Sequence, residues 1–156
     1  MVAESSETHG VHTLSVAIGW GHCDPAGIVY FPRFFELFHQ AMETWFGERL
    51  GLPYDQVITA RKIGFPSVHT EADFKKPTRF GETVVVELRL AAVGRSSLTL
   101  RYRVLGTGGA ADLRATGGTV VALMDLDPAS PGFRGKLPIP DDLRARLDAF
   151  GIGATP

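Results

Sequence analysis

The spacing of apolar residues changes along the chain and separates a strand from a long helix. Apolar residues alternate with small or polar ones over residues 12–20, which predicts a β-strand. From Pro32 to about Arg49 they recur at helical spacing over a very broad face, which predicts one long helix that other parts of the protein nearly surround. Pro32 suits the first turn of a helix, because a backbone N–H there would have no partner.

After this helix the alternation with a period of two returns. Four such segments occupy residues 68–75, 84–90, 98–104 and 119–125. The last of them is apolar on both faces, as is typical of a central strand. A short helical turn is expected around residues 55–61, and a short amphipathic helix is expected from Pro140 to Phe150, ended by Gly151.

This order of elements predicts an α+β protein. Successive strands joined by short turns should pair antiparallel, and one sheet that covers one helix should curl around it. The sequence shows neither an internal repeat nor a second hydrophobic unit, so residues 11–156 are expected to form a single domain. The polar segment 1–10 is expected to be a disordered tail, and the Pro/Gly-rich stretch 128–140 a tether to the last helix.

Composition narrows the class of function. The chain has 156 residues and a formal net charge of −1, from 16 Lys+Arg and 17 Asp+Glu, so no basic excess points to nucleic acid. No apolar run approaches 18 residues, and the N-terminus lacks the pattern of a signal peptide. Cys23 is the only cysteine, which excludes an intrachain disulfide and favours a reducing compartment. These features predict a cytoplasmic protein without a membrane or nucleic-acid partner.

The loop between the first strand and the long helix carries the strongest chemical signal. Asp24 stands in an Asp-Pro-Ala-Gly turn, seven residues before Phe31 at the expected helix start. A helix N-terminus presents unpaired N–H groups, which suit a carbonyl oxygen that becomes negative during attack. A carboxylate beside such donors can attack the carbonyl carbon or deprotonate water. On local chemistry alone, Asp24 could equally be a simple turn residue.

The ten residues from Cys23 to Pro32 read Cys-Asp-Pro-Ala-Gly-Ile-Val-Tyr-Phe-Pro. They resemble the signature of hotdog-fold thioesterases of the 4-hydroxybenzoyl-CoA thioesterase type. The segments 72–77, 80–82 and 94–100 are similar to the strands and turns that follow in that family, so the resemblance covers residues 12–126. It implies a hotdog fold, in which a curled antiparallel sheet wraps one long central helix, and hydrolysis of an acyl-CoA.

The resemblance also implies roles in catalysis. Asp24 matches the carboxylate that acts as nucleophile, through a mixed anhydride, or as general base. The backbone N–H of Phe31 matches the donor that polarises the thioester carbonyl, and the neighbouring Tyr30 is an expected substrate contact. Gly27 would allow the backbone to approach the substrate closely.

Further residues are implied to bind the substrate. Arg95, Ser96 and Ser97 match the turn that meets the coenzyme A nucleotide, although the family's turn is more basic than this one. His39 matches the helix position that contacts the para-hydroxyl of hydroxybenzoyl substrates, where close relatives carry an acid. The acyl group is therefore expected to be small and aromatic, without a commitment to 4-hydroxybenzoyl.

Three histidines have two open interpretations each. His39 can be a substrate contact or a partly buried core histidine, and His22 is better explained as a solvated loop residue than as a catalytic one. His69 is a candidate pocket residue on its strand, with Ser67 two positions earlier on the expected same face. No pair of histidines has metal-ligand spacing on one helix face, so no metal is expected.

Two other functions remain open beside acyl-CoA hydrolysis. Some hotdog proteins are acyl-CoA dehydratases or isomerases, which usually pair a histidine with the acid, and a non-catalytic acyl-CoA binder is also conceivable. No cofactor is expected, because coenzyme A is part of the substrate. The family pairs subunits with the site at their junction, which implies a homodimer or homotetramer with Arg95 donated across the interface.

Overall fold

The computed structural model describes residues 9–153, in which seven strands and three α-helices follow one another. They are β1 (His12–Ala17), α1 (Pro32–Glu48), α2 (Tyr54–Thr59), β2 (Ile63–Gly64), β3 (Ser67–Phe74), β4 (Thr83–Val93), β5 (Ser97–Leu105), β6 (Leu113–Ala122), β7 (Met124–Asp125) and α3 (Asp141–Phe150). Residues 1–8 of the predicted tail lie outside the described residues. Of the helices described, none has the length and apolar character needed to cross a bilayer.

Five strands form one antiparallel sheet in the order β1–β4–β5–β6–β3, and β2 pairs with β7 in a separate small sheet. The predicted pairing of successive strands is right for β4, β5 and β6 and wrong for β3, which pairs with β6. The reason is the connection between β3 and β4, residues 75–82, here called the crossing segment. Instead of closing a hairpin, it hydrogen-bonds to Ile18 and Gly27 beyond β1.

The long helix lies against one face of this sheet, as predicted. Phe38 of α1 stacks on Tyr102 of β5 with ring centroids 4.5 Å apart and planes 10° apart. Burial of this apolar surface is the main force that holds helix and sheet together. The side chains that fill the interface are Phe34, Leu37, Met42, Trp45 and Phe46 from the helix, and Val84, Val86, Leu88, Leu90, Leu98, Leu100 and Val104 from the sheet.

The start of β6 differs from the prediction, which placed a strand only from residue 119. The strand begins at Leu113 and includes Gly117 and Gly118. A Cβ atom at Gly117 would lie 2.3 Å from the ring of Phe38, so only glycine lets the helix pack this closely. This glycine therefore belongs to the strand because of a tertiary contact.

Strand β3 forms one edge of the sheet and is exposed along most of its length. A bulge at its start places Ser67 opposite Val121 and His69 opposite Val120. Val121 is fully buried against the helix, whereas Val120 is only partly buried, so the two partners face opposite sides. The expectation that Ser67 and His69 share a face is wrong, because the extra residue inverts the alternation.

Candidate active site

The loop before α1 forms a closed turn around Asp24. The Asp24 amide donates to the Ile28 carbonyl at 2.9 Å, and the Gly27 amide donates to the Asp24 carbonyl at 2.9 Å. One carboxylate oxygen, Oδ1, accepts from the Ala26 amide at 2.8 Å. Gly27 has a φ of +77°, which favours glycine. The other carboxylate oxygen accepts no hydrogen bond from residues 9–153, so it is available to a reacting group.

The first helical turn supplies a free donor beside this carboxylate. The Tyr30 amide donates to the His22 carbonyl at 2.9 Å, and Arg33 donates to the Tyr30 carbonyl at 2.8 Å. Phe31 precedes the first residue of α1, and Pro32 has no N–H. Within the described part of the chain, the Phe31 amide has no acceptor. The positive end of the helix dipole adds to the attraction for an oxyanion at this amide.

Asp24 and Phe31 line one cleft of about 440 Å³, which is the size of a small-molecule site. Its floor and walls come from the Asp24 loop, the start of α1, the end of β3 and the crossing segment. The rings of Phe31 and Phe34 lie 6.3 Å and 5.3 Å from that of Phe74. Tyr30 also lines this cleft, so an aromatic wall faces the carboxylate.

Lys75 and Lys76 line the same cleft, although no local pattern assigned them a role. Both are exposed, and Lys76 makes one long ion pair with Asp112 at 3.4 Å. The sequence shows the Lys-Lys-Pro motif at the end of a predicted strand. No local pattern, however, indicates that this strand, β3, ends beside the N-terminus of α1. These lysines make the mouth of the cleft positively charged.

His39 lies elsewhere, two turns further along α1. It is exposed, its Nε2 lies 3.0 Å from Glu43, and its ring lies edge-on to Tyr54. With Ser67, His39 lines a small, partly open cavity of about 110 Å³ between the helix and the sheet. The remaining lining residues are Phe35, Met42, Thr70, Tyr102 and Thr119, none of which lines the Asp24 cleft. The chain itself therefore does not bring His39 and Ser67 to Asp24.

His69 and His22 interact with groups outside the Asp24 cleft. His69 is exposed and interacts at 3.4 Å with Glu71, which also binds Arg101 at 2.6 Å on the outer side of the sheet. His22 is half-buried, and its Nδ1 accepts from the Gly19 amide at 2.9 Å. This bond holds the turn before Asp24 and differs from the solvated role expected for His22.

The turn of Arg95, Ser96 and Ser97 lies at the far end of β4 from the Asp24 loop. Strand β4 has 11 residues and begins beside that loop, so the turn is roughly 30 Å away along the strand. Arg95 is exposed, and its carbonyl accepts from the Ile139 amide at 2.9 Å. Within one chain these residues and Asp24 do not line a common cavity.

Comparison with known proteins places this architecture in a family. The model of the thioesterase-like superfamily matches residues 18–147, which include the Asp24 loop and every strand of the sheet except β1. The chain belongs to the thioesterase-like superfamily. This match covers most of the described residues 9–153.

Two curated relatives are named as hydrolases of acyl-CoA thioesters. The 1,4-dihydroxy-2-naphthoyl-CoA hydrolase of Synechococcus elongatus is 33% identical over 88 residues, which are 56% of this chain and 64% of the relative. The 4-hydroxybenzoyl-CoA thioesterase of Pseudomonas sp. strain CBS-3 is 31% identical over 104 residues, or 65% of this chain and 73% of the relative. The matched part thus spans a little under two thirds of the Synechococcus relative's length.

A solved structure supports the predicted fold. The three-dimensional structure of the 4-hydroxybenzoyl-CoA thioesterase from Pseudomonas sp. strain CBS-3 superposes with a TM-score of 0.76 and 26% identity. The superposition covers 87% of this chain and 98% of that one. The predicted hotdog fold, with one long central helix, is confirmed.

Proposed function

We propose that this chain is a thioester hydrolase that cleaves a small aryl-CoA to the free acid and coenzyme A. The observation that carries the proposal is the cleft that Asp24 shares with the free Phe31 amide. Attack on a carbonyl needs a nucleophile or base, which the carboxylate can supply, and a donor to the oxygen, which the helix terminus can supply. The names of the two curated relatives, both aryl-CoA hydrolases, support it.

In the proposed mechanism the thioester carbonyl oxygen accepts a hydrogen bond from the Phe31 amide. The Asp24 carboxylate then attacks the carbonyl carbon, the C–S bond breaks, and water hydrolyses the resulting mixed anhydride. Alternatively, Asp24 removes a proton from a water that attacks directly. Labelled water in a single turnover distinguishes the two routes, because only the anhydride route can transfer an oxygen of Asp24 to the product. Neither route requires a metal or a cofactor.

The lining of the cleft argues for an aromatic acyl group. The rings of Tyr30, Phe31, Phe34 and Phe74 offer faces and edges to a flat substrate. His39 stands where the related enzymes carry an acid for a para-hydroxyl group, so the contact to a ring substituent differs here. We therefore propose an aryl-CoA and leave the substituents open.

The proposal includes a homodimer or homotetramer. The exposed edge of β3 offers unpaired backbone groups to another chain, and a second subunit could bring Arg95, Ser96 and Ser97 to the nucleotide of coenzyme A. Small-angle scattering should give at least the mass of a dimer, and a stable monomer would contradict this site arrangement. A cytoplasmic location remains a prediction.

Both rival functions have less support. A dehydratase or isomerase would pair a histidine with Asp24, and within one chain neither His39 nor His69 lines the cleft of Asp24. A non-catalytic binder would leave the free carboxylate oxygen and the free amide without a role.

One assay separates the three functions. Thiol release should be measured with 4-hydroxybenzoyl-CoA, 1,4-dihydroxy-2-naphthoyl-CoA, butyryl-CoA and palmitoyl-CoA. We expect rapid release from an aryl-CoA and much slower release from the two aliphatic esters. Binding without release from any of the four would contradict the hydrolase and favour the binder.

A further inference from the structure

A fully hydrogen-bonded arginine holds the crossing segment in place. Arg114 on β6 is only 8% exposed. Its guanidinium donates two hydrogen bonds to Glu82 at 2.9 and 3.0 Å, two to Asp112 at 2.8 and 2.9 Å, and one to the Pro77 carbonyl at 3.1 Å. A guanidinium has five N–H donors, so each of them is used.

The backbone of the same arginine holds the start of the crossing segment. The Arg114 carbonyl accepts from the amides of Lys75 and Lys76 at 2.8 and 3.2 Å. At the other end, Glu82 Oε2 also accepts from the Arg79 amide at 2.6 Å. One residue of β6 therefore fixes both ends of the crossing segment.

The crossing segment in turn holds the loop of the active site. The Val29 amide donates to the Thr78 carbonyl at 2.8 Å, and the Phe80 amide donates to the Gly27 carbonyl at 3.1 Å. These two bonds flank a single loop residue from both sides. A shift of the crossing segment would therefore move this part of the loop.

The flanked residue is Ile28, whose carbonyl accepts the Asp24 amide. We propose that Arg114 and Glu82 are positioning residues, which act through the crossing segment to hold Asp24 against the Phe31 amide. Neither contacts the proposed substrate cleft, and the inference rests on the proposed hydrolase function. A displacement of about 1 Å far from the chemistry can lower a rate by as much as 100-fold.

The ion pair of Arg114 with Glu82, here called the clamp, stays charged at neutral pH. Hydrogen bonds from Arg114 lower the pKa of Glu82 and of Asp112, so both carboxylates stay ionised at neutral pH. Glu82→Gln would remove the charge that pairs with Arg114 while Asp112 remains. The variant therefore loosens the crossing segment without leaving the arginine unpaired.

A neighbouring ion pair on β4 provides a matched control. Glu87 binds Arg103 at 2.7 Å and is partly buried, as Glu82 is, but it has no bond to the crossing segment. In the full-length chain, with the aryl-CoA most rapidly cleaved in the survey above, we expect Glu82→Gln to lower kcat by about 10- to 100-fold and to change KM less than about threefold. Glu87→Gln should leave kcat within about twofold.

A second readout follows the clamp directly. Hydrogen exchange at the Val29 and Phe80 amides should accelerate at least about tenfold in Glu82→Gln and stay unchanged in Glu87→Gln. If Glu82→Gln does not fold, Arg114→Lys serves instead. It keeps the positive charge but loses the planar fork, so it should show the same lowered kcat and faster exchange.

The possible outcomes are distinct. Equal kcat values in Glu82→Gln and Glu87→Gln, with wild-type exchange at both amides, would overturn the inference while the hydrolase function stands. A wild-type chain that releases no thiol from any of the four esters would overturn the proposed function and this inference with it. A lowered kcat with faster exchange only in the clamp variants supports the inference.

Discussion

Helix α1 carries two differently built sites along its length. The cleft at its N-terminus is open, aromatic and positively charged at the mouth, and it holds Asp24 beside a free amide. The cavity at His39, roughly 12 Å further along the helix axis, is smaller, only partly open and lined by several polar side chains. One chain thus places Asp24 and Phe31, the groups of the proposed cleavage, in one cleft. His39, the candidate contact for the acyl group, lies in another cavity.

This difference has a physical origin. The proposed cleavage needs a carboxylate and a backbone donor that are close in space, and a single loop and helix start can supply both. Recognition of a ring substituent needs a group several ångströms away, on another face of the helix. A second subunit that aligns its own cavity with this cleft is one way to join the two.

The largest effect is expected from removal of the Asp24 charge. Asp24→Asn should lower kcat at least about 10³-fold, because the amide can neither attack the carbonyl nor accept a proton. Its side-chain oxygen can still accept from Ala26, so binding of the aryl-CoA should persist. Steady-state thiol release and calorimetric binding measure the two properties.

The exposed Asp55 on α2 offers a matched control for this variant. Asp55→Asn removes one carboxylate far from the cleft and should retain wild-type turnover. If Asp24→Asn also turned over at the wild-type rate, the cleft would lose its role in cleavage.

A smaller effect should mark the cavity at His39. His39→Asp introduces the acidic type of residue that the resemblance implies at this position, so selectivity for 4-hydroxybenzoyl-CoA over benzoyl-CoA should rise about tenfold. A hydrogen bond to a charged acceptor contributes about 1.5–3 kcal/mol, which is enough for this change. The ratio of kcat/KM for the two esters is the measurement.

Gln40→Asp adds the same charge to the next residue of α1, which is exposed and does not line the cavity that His39 shares with Ser67. We expect this variant to keep the wild-type selectivity. The same rise in both variants would show a general charge effect and would separate the cavity from acyl recognition.

The smallest effect is expected at the mouth of the cleft. Removing both lysines in Lys75→Ala/Lys76→Ala should raise KM for an aryl-CoA several-fold, because the substrate carries phosphate groups that such charges attract. KM for the matching aryl-pantetheine thioester, which lacks the nucleotide, should not change. A Lys62→Ala/Lys136→Ala variant, altered outside the cleft, serves as the control. If KM changed equally for the aryl-CoA and for the aryl-pantetheine thioester, the lysines would not act on the nucleotide. They would then affect folding or contact the acyl end of the substrate.

The sequence predicted most of the site where its parts are local. Asp24, Gly27, Tyr30 and Phe31 occur within eight residues, so the loop and the helix start could be recognised without a structure. Lys75 and Lys76 could not, because they reach the cleft only through the pairing of β3 with β6. The same is true of Arg114, which is distant in sequence from the loop that it supports.

The sequence by itself determined the helices and the five strands of the main sheet in their order, apart from the start of β6, since each arises from local spacing of apolar residues and from proline and glycine signals. It also determined the pairing of carboxylate and helix amide, because both lie on one short loop. Only the tertiary structure decided which edge β3 occupies, that a bulge turns His69 away from Ser67, and that Gly117 continues a strand beneath Phe38. These features depend on contacts between residues far apart in the chain, whose energies no local pattern contains.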